Sequence, residues 1–239
     1  MEAQEGWLDY FSHDQPDVLS VGELEKYVTL RFPKRRQEWL LGRMTAKYLL
    51  QQSRADSKGL KPAEIEVRNN AEGAPNYILP YGFEKPGCLS ISHRDTLAYC
   101  ALVSKPVLRV GADLERVEPR SMAFVEAFFT AQEVMRVRAC PPEFRDRLVT
   151  LIWSAKEALL KALGRGLRID TRRVEILKEE QLTGETADWR DLSVSMSWAG
   201  GSWTAWWRPY GEYVLTLAAW DKNGSRHPYV LEEISTELG

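Results

Sequence analysis

Cysteine is scarce. Cys88, Cys100 and Cys140 are the only three in 239 residues. The number is odd and no CxxC spacing occurs, which argues for reduced thiols in a cytosolic protein and against a zinc site. An excess of one charge is also lacking: 32 Lys and Arg stand against 34 Asp and Glu, a net charge of −2. The isoelectric point is near 6.0. No global basic field exists for nucleic acid, so any anion site must be a local cluster of Lys and Arg. No apolar run approaches the roughly 20 residues that span a bilayer. The start, Met1-Glu2-Ala3-Gln4-Glu5-Gly6, lacks the basic residues and apolar stretch of a secretory leader. The expectation is a cytoplasmic protein with no membrane and no nucleic-acid partner. Hydrolase signatures are missing too, with neither G-x-S-x-G nor an aspartate–histidine–serine order.

What is present is ordinary globular composition, 44% hydrophobic and 28% charged. The length suits one sizeable core or two small packed halves. A helical pattern runs from Gly22 to Gln52, with Pro33 starting the main helix and Trp39, Leu40, Met44, Tyr48 and Leu49 forming one apolar stripe. Residues 53–88 carry most of the loop signals. Strand-like runs follow at Cys88–Ile91, Leu97–Val103 and Val107–Arg116. Thr130 and Glu133 make a T-x-x-E capping box, and a longer helix runs from about Glu143 to Leu163, stopping at Gly164. The last third reads as strands at Val174–Leu177, Leu192–Trp198, Trp203–Trp207 and Tyr213–Trp220, with tryptophans that suit a sheet core. Each half thus holds a long helix and ends in an apolar strand. The fold class expected is α+β, as two similar pseudo-symmetric halves, residues 1–117 and 118–239.

The segment Val107–Arg116 carries the first chemistry. Side chains alternate along a strand, so Leu108, Val110, Ala112 and Leu114 share one face while Asp113 and Glu115 share the other, with Cβ atoms roughly 6–7 Å apart. Two carboxylates at that spacing can converge on one Mg²⁺, which takes oxygen ligands with water and substrate phosphate. Gly111 leaves room for a ligand or backbone to approach. The plain alternative is a solvated strand face.

The second constellation is Trp153-Ser-Ala-Lys-Glu-Ala-Leu-Leu-Lys161. Helical spacing puts Leu148, Leu151, Ile152, Ala155, Leu159 and Ala162 on one buried face and the neighbours Glu157 and Lys161 opposite. Trp153 and Leu160 flank Glu157, so a second surface is expected to cover that side; a solvent-facing Glu–Lys pair is the other reading. Two further groups are candidate phosphate sites. Ser90-Ile91-Ser92-His93-Arg94 sets a histidine and an arginine beside small hydroxyls. Arg36 and Arg43, seven residues apart, lie on nearly one helix face. Each group has a bland reading as loop or surface charge.

Taken together and in order, these motifs resemble the Sfp-type 4′-phosphopantetheinyl transferases of the holo-carrier-protein synthase superfamily. Gly111-Ala-Asp113-Leu-Glu115 resembles that family's G-x-D-x-E. The run Trp153 to Leu167 is similar to its W-x-x-K-E-[AS]-x-x-K-x-x-G-x-G-L. Ser90-Ile-Ser92-His93 is similar to its S-x-S-H element, and Leu40-Leu41-Gly42-Arg43 to its N-terminal helix. The resemblance implies a monomer with coenzyme A in a cleft between two α+β halves, acting on an apo acyl- or peptidyl-carrier protein. It implies Asp113, Glu115 and Glu157 as Mg²⁺ ligands and Lys156, Lys161, Ser92 and His93 at the cofactor. Arg36 and Arg43 would take the 3′-phosphate end, and Glu157, with Lys161 beside it, would serve catalysis. The family's frequent G-K-P is here Gly73-Ala74-Pro75; the lysine is missing, with Arg68 the candidate substitute. Two other readings are a non-catalytic binding protein of the same fold and a Mg²⁺-dependent phosphohydrolase using Asp113 and Glu115.

Overall fold

The computed structural model describes residues 18–55, 57–80, 87–105, 107–179, 188–196 and 198–225. The expectation about a leader concerns residues outside these. Among the described residues no helix is long and apolar enough to cross a membrane. The chain divides into two compact units, which part between residues 106 and 107.

In the first unit, α1 (Val21–Val28) is followed by the 21-residue α2 (Pro33–Ser53), which carries proline in its first turn. The periodic region is therefore two helices, broken ahead of Pro33, because the residue before proline is pushed out of helical geometry; Phe32 is extended, with φ −98°. Two antiparallel hairpins follow: β1 (Glu66–Asn69) with β2 (Pro75–Ile78), and β3 (Cys88–Arg94) with β4 (Leu97–Val103). Ala46 and Leu50 of α2 bury against Ile65, Val67, Tyr77, Leu79 and Leu89. The β1–β2 hairpin lies where the sequence reads as loop. Its strands are four residues each, too short to show a period beside Asn69-Asn70, Gly73 and Pro75.

The second unit is a five-stranded antiparallel sheet in the order β5-β9-β8-β7-β6. The strands are β5 (Leu108–Arg116), β6 (Glu175–Glu179), β7 (Arg190–Ser195), β8 (Ser202–Tyr210) and β9 (Tyr213–Asp221). Between β5 and β6 come α3 (Met122–Phe128), α4 (Ala131–Ala139) and the 21-residue α5 (Pro142–Ala162). Strand β5 pairs with β9 throughout, from Leu108 opposite Asp221 to Arg116 opposite Tyr213. It thus belongs to the second unit, whereas the sequence reading grouped it with the N-terminal half. The core joins α5 to Val174, Ile176, Leu192, Ala205, Trp207, Val214 and Ala218. Trp207 is fully buried, and Trp203 stacks on Trp220 with centroids 5.5 Å apart, so these aromatics are sheet core, as their strand preference suggests.

One clasp is built twice. In the first unit Ser20 caps α1, and Glu23 completes the box by accepting from the Ser20 N–H. The Glu23 carboxylate also accepts from the Val67 amide and from Lys47, whose ammonium further donates to the Val18 carbonyl. In the second unit Thr130 caps α4, and Glu133 completes that box while accepting from the Ile176 amide and from Lys156 at 2.8 Å. Lys47 and Lys156 each stand fifteenth in a 21-residue helix that opens on proline. Both pairs are buried. A capping glutamate therefore ties a short helix, a long helix and a strand together in each half, and the two long helices align residue for residue.

Gly111 fixes how closely α5 approaches β5. A Cβ there would stand 1.8 Å from the Ala158 carbonyl oxygen and 2.6 Å from the Ala162 nitrogen. The room this glycine leaves is filled by helix backbone. Gly111→Ala is expected to lower stability by at least about 1–3 kcal/mol, since the helix must move bodily to admit the methyl. An unchanged thermal midpoint in that variant would refute the close approach.

Candidate active site

The approach of α5 to β5 sets the site. Asp113 and Glu115 project from β5 on the Gly111 face, toward α5, while Leu108, Val110, Ala112 and Leu114 occupy the other face and are buried, as the strand alternation predicts. Asp113 is 2% exposed. Its Oδ1 accepts from the Lys161 ammonium at 2.6 Å and its Oδ2 from the Ser154 hydroxyl at 2.7 Å. Lys161 also donates to the Ala112 carbonyl at 3.2 Å. Its distance to Glu157 is 3.9 Å. The i,i+4 neighbours expected on the helix are present, yet the tight partner of Lys161 is Asp113.

Glu157 is largely covered, with 20% of its side chain exposed. Trp153 is packed edge-on against Phe124 and Phe128 of α3, with centroids 5.1 and 5.3 Å away, and Leu160 is fully buried. This is the second surface that the flanking apolar residues require. Burial pushes the Glu157 carboxyl up to about 7, and the charges of Asp113 and Glu115 push the same way, against Lys161 and Arg120. Glu115 is held by Arg120 at 3.2 Å. Arg120 in turn lies over the Phe124 ring, 4.9 Å from its centroid.

A model of the 4′-phosphopantetheinyl transferase superfamily matches residues 109–218, the span that holds Asp113, Glu115, Glu157 and Lys161. Over this segment the chain is similar to that superfamily. It is 30% identical over 165 residues to the 4′-phosphopantetheinyl transferase HetI of Nostoc, covering 64% of this chain and 66% of that protein. It is 30% identical over 122 residues to a 4′-phosphopantetheinyl transferase of Bacillus subtilis, covering 51% of each. The match thus spans just under two thirds of the first relative's length and about half of the second's.

Two expectations about the site are corrected, those for Lys156 and Ser92. Lys156 cannot meet a phosphate here. It is fully buried, and its ammonium is engaged by Glu133 and by the carbonyls of Thr171 and Val174 at 3.0 and 2.6 Å. Among the described residues no group of three His, Cys, Asp or Glu stands as a metal-ligand cluster; Lys161 and Ser154 hold Asp113, and Arg120 holds Glu115. The donor set still fits a hard divalent cation in kind, since it offers carboxylate oxygens that disfavour one another's charge. Finally, Ser92 and His93 are neighbours on β3 and face opposite sides. A Cβ on Gly42 would lie 3.1 Å from Ile91 and 3.6 Å from the His93 ring. His93 therefore lies beside α2, while Ser92 is buried on the other face.

The arginines of α2 are anchored by aromatics. Arg36 donates through Nε to the Leu30 carbonyl at 2.6 Å and its guanidinium lies 5.5 Å from the Tyr27 ring centroid. Arg43 donates to Asn69 at 3.1 Å and lies 4.4 Å over Trp39. Burial pulls Arg43 down to about 10, with the Glu23 charge opposing. Sequence reading missed three partners: Ser154 and Thr216, hidden among apolar neighbours, and Arg120, which stands outside every motif. Glu133 was visible as a capping residue, though not as the partner of Lys156.

Proposed function

We propose that this protein transfers the 4′-phosphopantetheine group of coenzyme A to a serine of an apo acyl- or peptidyl-carrier protein, with Mg²⁺, releasing 3′,5′-ADP. The observation that carries the reading is the meeting of Glu157 with the Asp113–Lys161 pair inside the segment matched by the superfamily. In the reaction the serine oxygen bonds to the β-phosphorus of coenzyme A, and the bond from that phosphorus to the bridging oxygen breaks. The leaving group departs as 3′,5′-ADP. The serine proton goes to Glu157, directly or through water; a carboxyl held near neutrality by burial suits proton acceptance. Lys161 offers its partly exposed ammonium to the pyrophosphate. Asp113, Glu115 and Glu157 would hold the Mg²⁺, whose chemistry is to neutralise charge on the phosphate oxygens.

Lys156 has no part in this chemistry and serves the fold. In the first unit, Arg36, Arg43 and His93 are the proposed contacts to the nucleotide phosphates. The matching positions of α2 carry Tyr48 and Gln52 where α5 carries Glu157 and Lys161, so the charged pair is confined to the second half.

The test is direct. Incubation with coenzyme A and Mg²⁺ is expected to raise the mass of an apo-carrier by one phosphopantetheine group on a serine. An unchanged mass across fatty-acid, polyketide and peptide carriers would sink the reading; free phosphate in its place would mark a phosphohydrolase. A second expectation concerns Arg36 and Arg43. Dephospho-coenzyme A should bind roughly 10- to 150-fold more weakly than coenzyme A, the worth of a charge-assisted phosphate contact. Equal dissociation constants by calorimetry would dismiss a 3′-phosphate site.

A further inference from the structure

Thr216 is the cross-strand neighbour of Asp113 in the β5–β9 ladder. Its hydroxyl lies 2.8 Å from that of Ser154, which lies 2.7 Å from Asp113 Oδ2. Thr216 and Ser154 are both fully buried. The direction of this chain follows from its chemistry. An ionised carboxylate only accepts, so Ser154 gives its single proton to Asp113. Its oxygen can then only accept from Thr216, and Thr216 is the donor at the head of the chain. Aligned hydroxyls polarise one another, so the bond to Asp113 is stronger than a lone serine would make it.

The first half supplies a comparison from within the same chain. When the two long helices are aligned on Lys47 and Lys156, Ser154 corresponds to Thr45. The Thr45 hydroxyl turns back onto its own helix and donates to the Leu41 carbonyl at 2.9 Å. A buried hydroxyl at this helix position can thus be satisfied locally, as is usual for serine and threonine in helices. In α5 it is directed at a carboxylate instead, in the half that carries Glu157 and Lys161.

We propose that Ser154 and Thr216 are positioning residues that hold the Asp113 carboxylate in the orientation from which it ligates the divalent cation. This rests on the cation reading given above. Partners that orient a ligating carboxylate typically change metal affinity by about 10- to 100-fold when removed. The relay fixes Oδ2 from inside the protein, and Lys161, on the partly exposed side, holds Oδ1.

The test uses Mn²⁺ alone as the probe, with free Mn²⁺ read by electron paramagnetic resonance against the full chain. Ser154→Ala is expected to weaken Mn²⁺ binding about 10- to 100-fold. Thr216→Val, which keeps the shape and removes the hydroxyl, should weaken it in the same direction but less. Thr216→Ser, which keeps the hydroxyl, should bind like the wild type. If Ser154→Ala fails to fold, the Thr216 pair decides alone: a merely structural contact lowers the thermal midpoint without separating valine from serine in Mn²⁺ affinity. Wild-type affinity in both Ser154→Ala and Thr216→Val overturns the relay and leaves the cation site standing. No Mn²⁺ binding by the wild type overturns the cation site and the relay with it.

Discussion

Lys156→Ala is expected to cost the protein roughly 3–5 kcal/mol of stability, the usual result of removing one partner from a buried ion pair. The lysine is fully buried, and so is Glu133. Without the ammonium, the buried Glu133 charge is left to the Thr130 and Ile176 amides. Two carbonyls, those of Thr171 and Val174, also lose their donor. Burial already pulls the Lys156 ammonium down from its ordinary range despite the adjacent carboxylate, so the pair is held in a medium that penalises charge. Lys156→Met restores the packing and not the charge, and should recover little. Adding Glu133→Gln to Lys156→Met removes the stranded charge and should recover part of the loss. Midpoints of denaturant unfolding check all three variants. A loss below about 0.5 kcal/mol in Lys156→Ala, the scale of an exposed pair, would return the lysine to the surface, where a phosphate could meet it.

Glu157→Gln is expected to lower turnover of an apo-carrier by about 10²- to 10⁴-fold, the range supplied by a positioned general base. Glutamine keeps the length of the side chain and most of its helix propensity, so α5 should persist. It also removes a carboxyl that burial and the charges of Asp113 and Glu115 disfavour, so the variant should be no less stable than the parent. Coenzyme A should bind it with little loss. Turnover within threefold of wild type would remove Glu157 from the chemistry. Lost coenzyme A binding, with turnover restored at high Mg²⁺, would make it a ligand to the cation and move the base elsewhere.

Much of this arrangement was readable from the residues. Strand alternation put Asp113 and Glu115 on one face, and helical spacing put Glu157 beside Lys161. The strand Leu97–Val103 was read to the residue. What failed did so for definable reasons. Lys156 reads as a surface cation because nothing in its own helix reveals Glu133, 23 residues earlier and in a different helix; only the fold joins them. Its equivalence to Lys47 offered a signal, a cap three residues before a glutamate and a lysine 23 or 24 residues further on, in both halves. Ser154 is invisible because an isolated serine on a helix is usually solvated or bonded to its own backbone. Gly111 was recognised as a point of close approach, but the sequence could not say that helix backbone would be what approached.

The repeated clasp makes the protein its own reporter. Among the described residues, Lys47 and Lys156 are the fully buried amines of their respective halves, and each is closed to solvent for as long as its capping glutamate, long helix and strand stay together. An amine-reactive reagent can reach Lys47 only when the first half opens and Lys156 only when the second does. Pulse labelling followed by peptide mapping would therefore time the opening of each half separately in the unmodified chain, with no dye or added residue, and would tell whether a substitution in one half loosens the other.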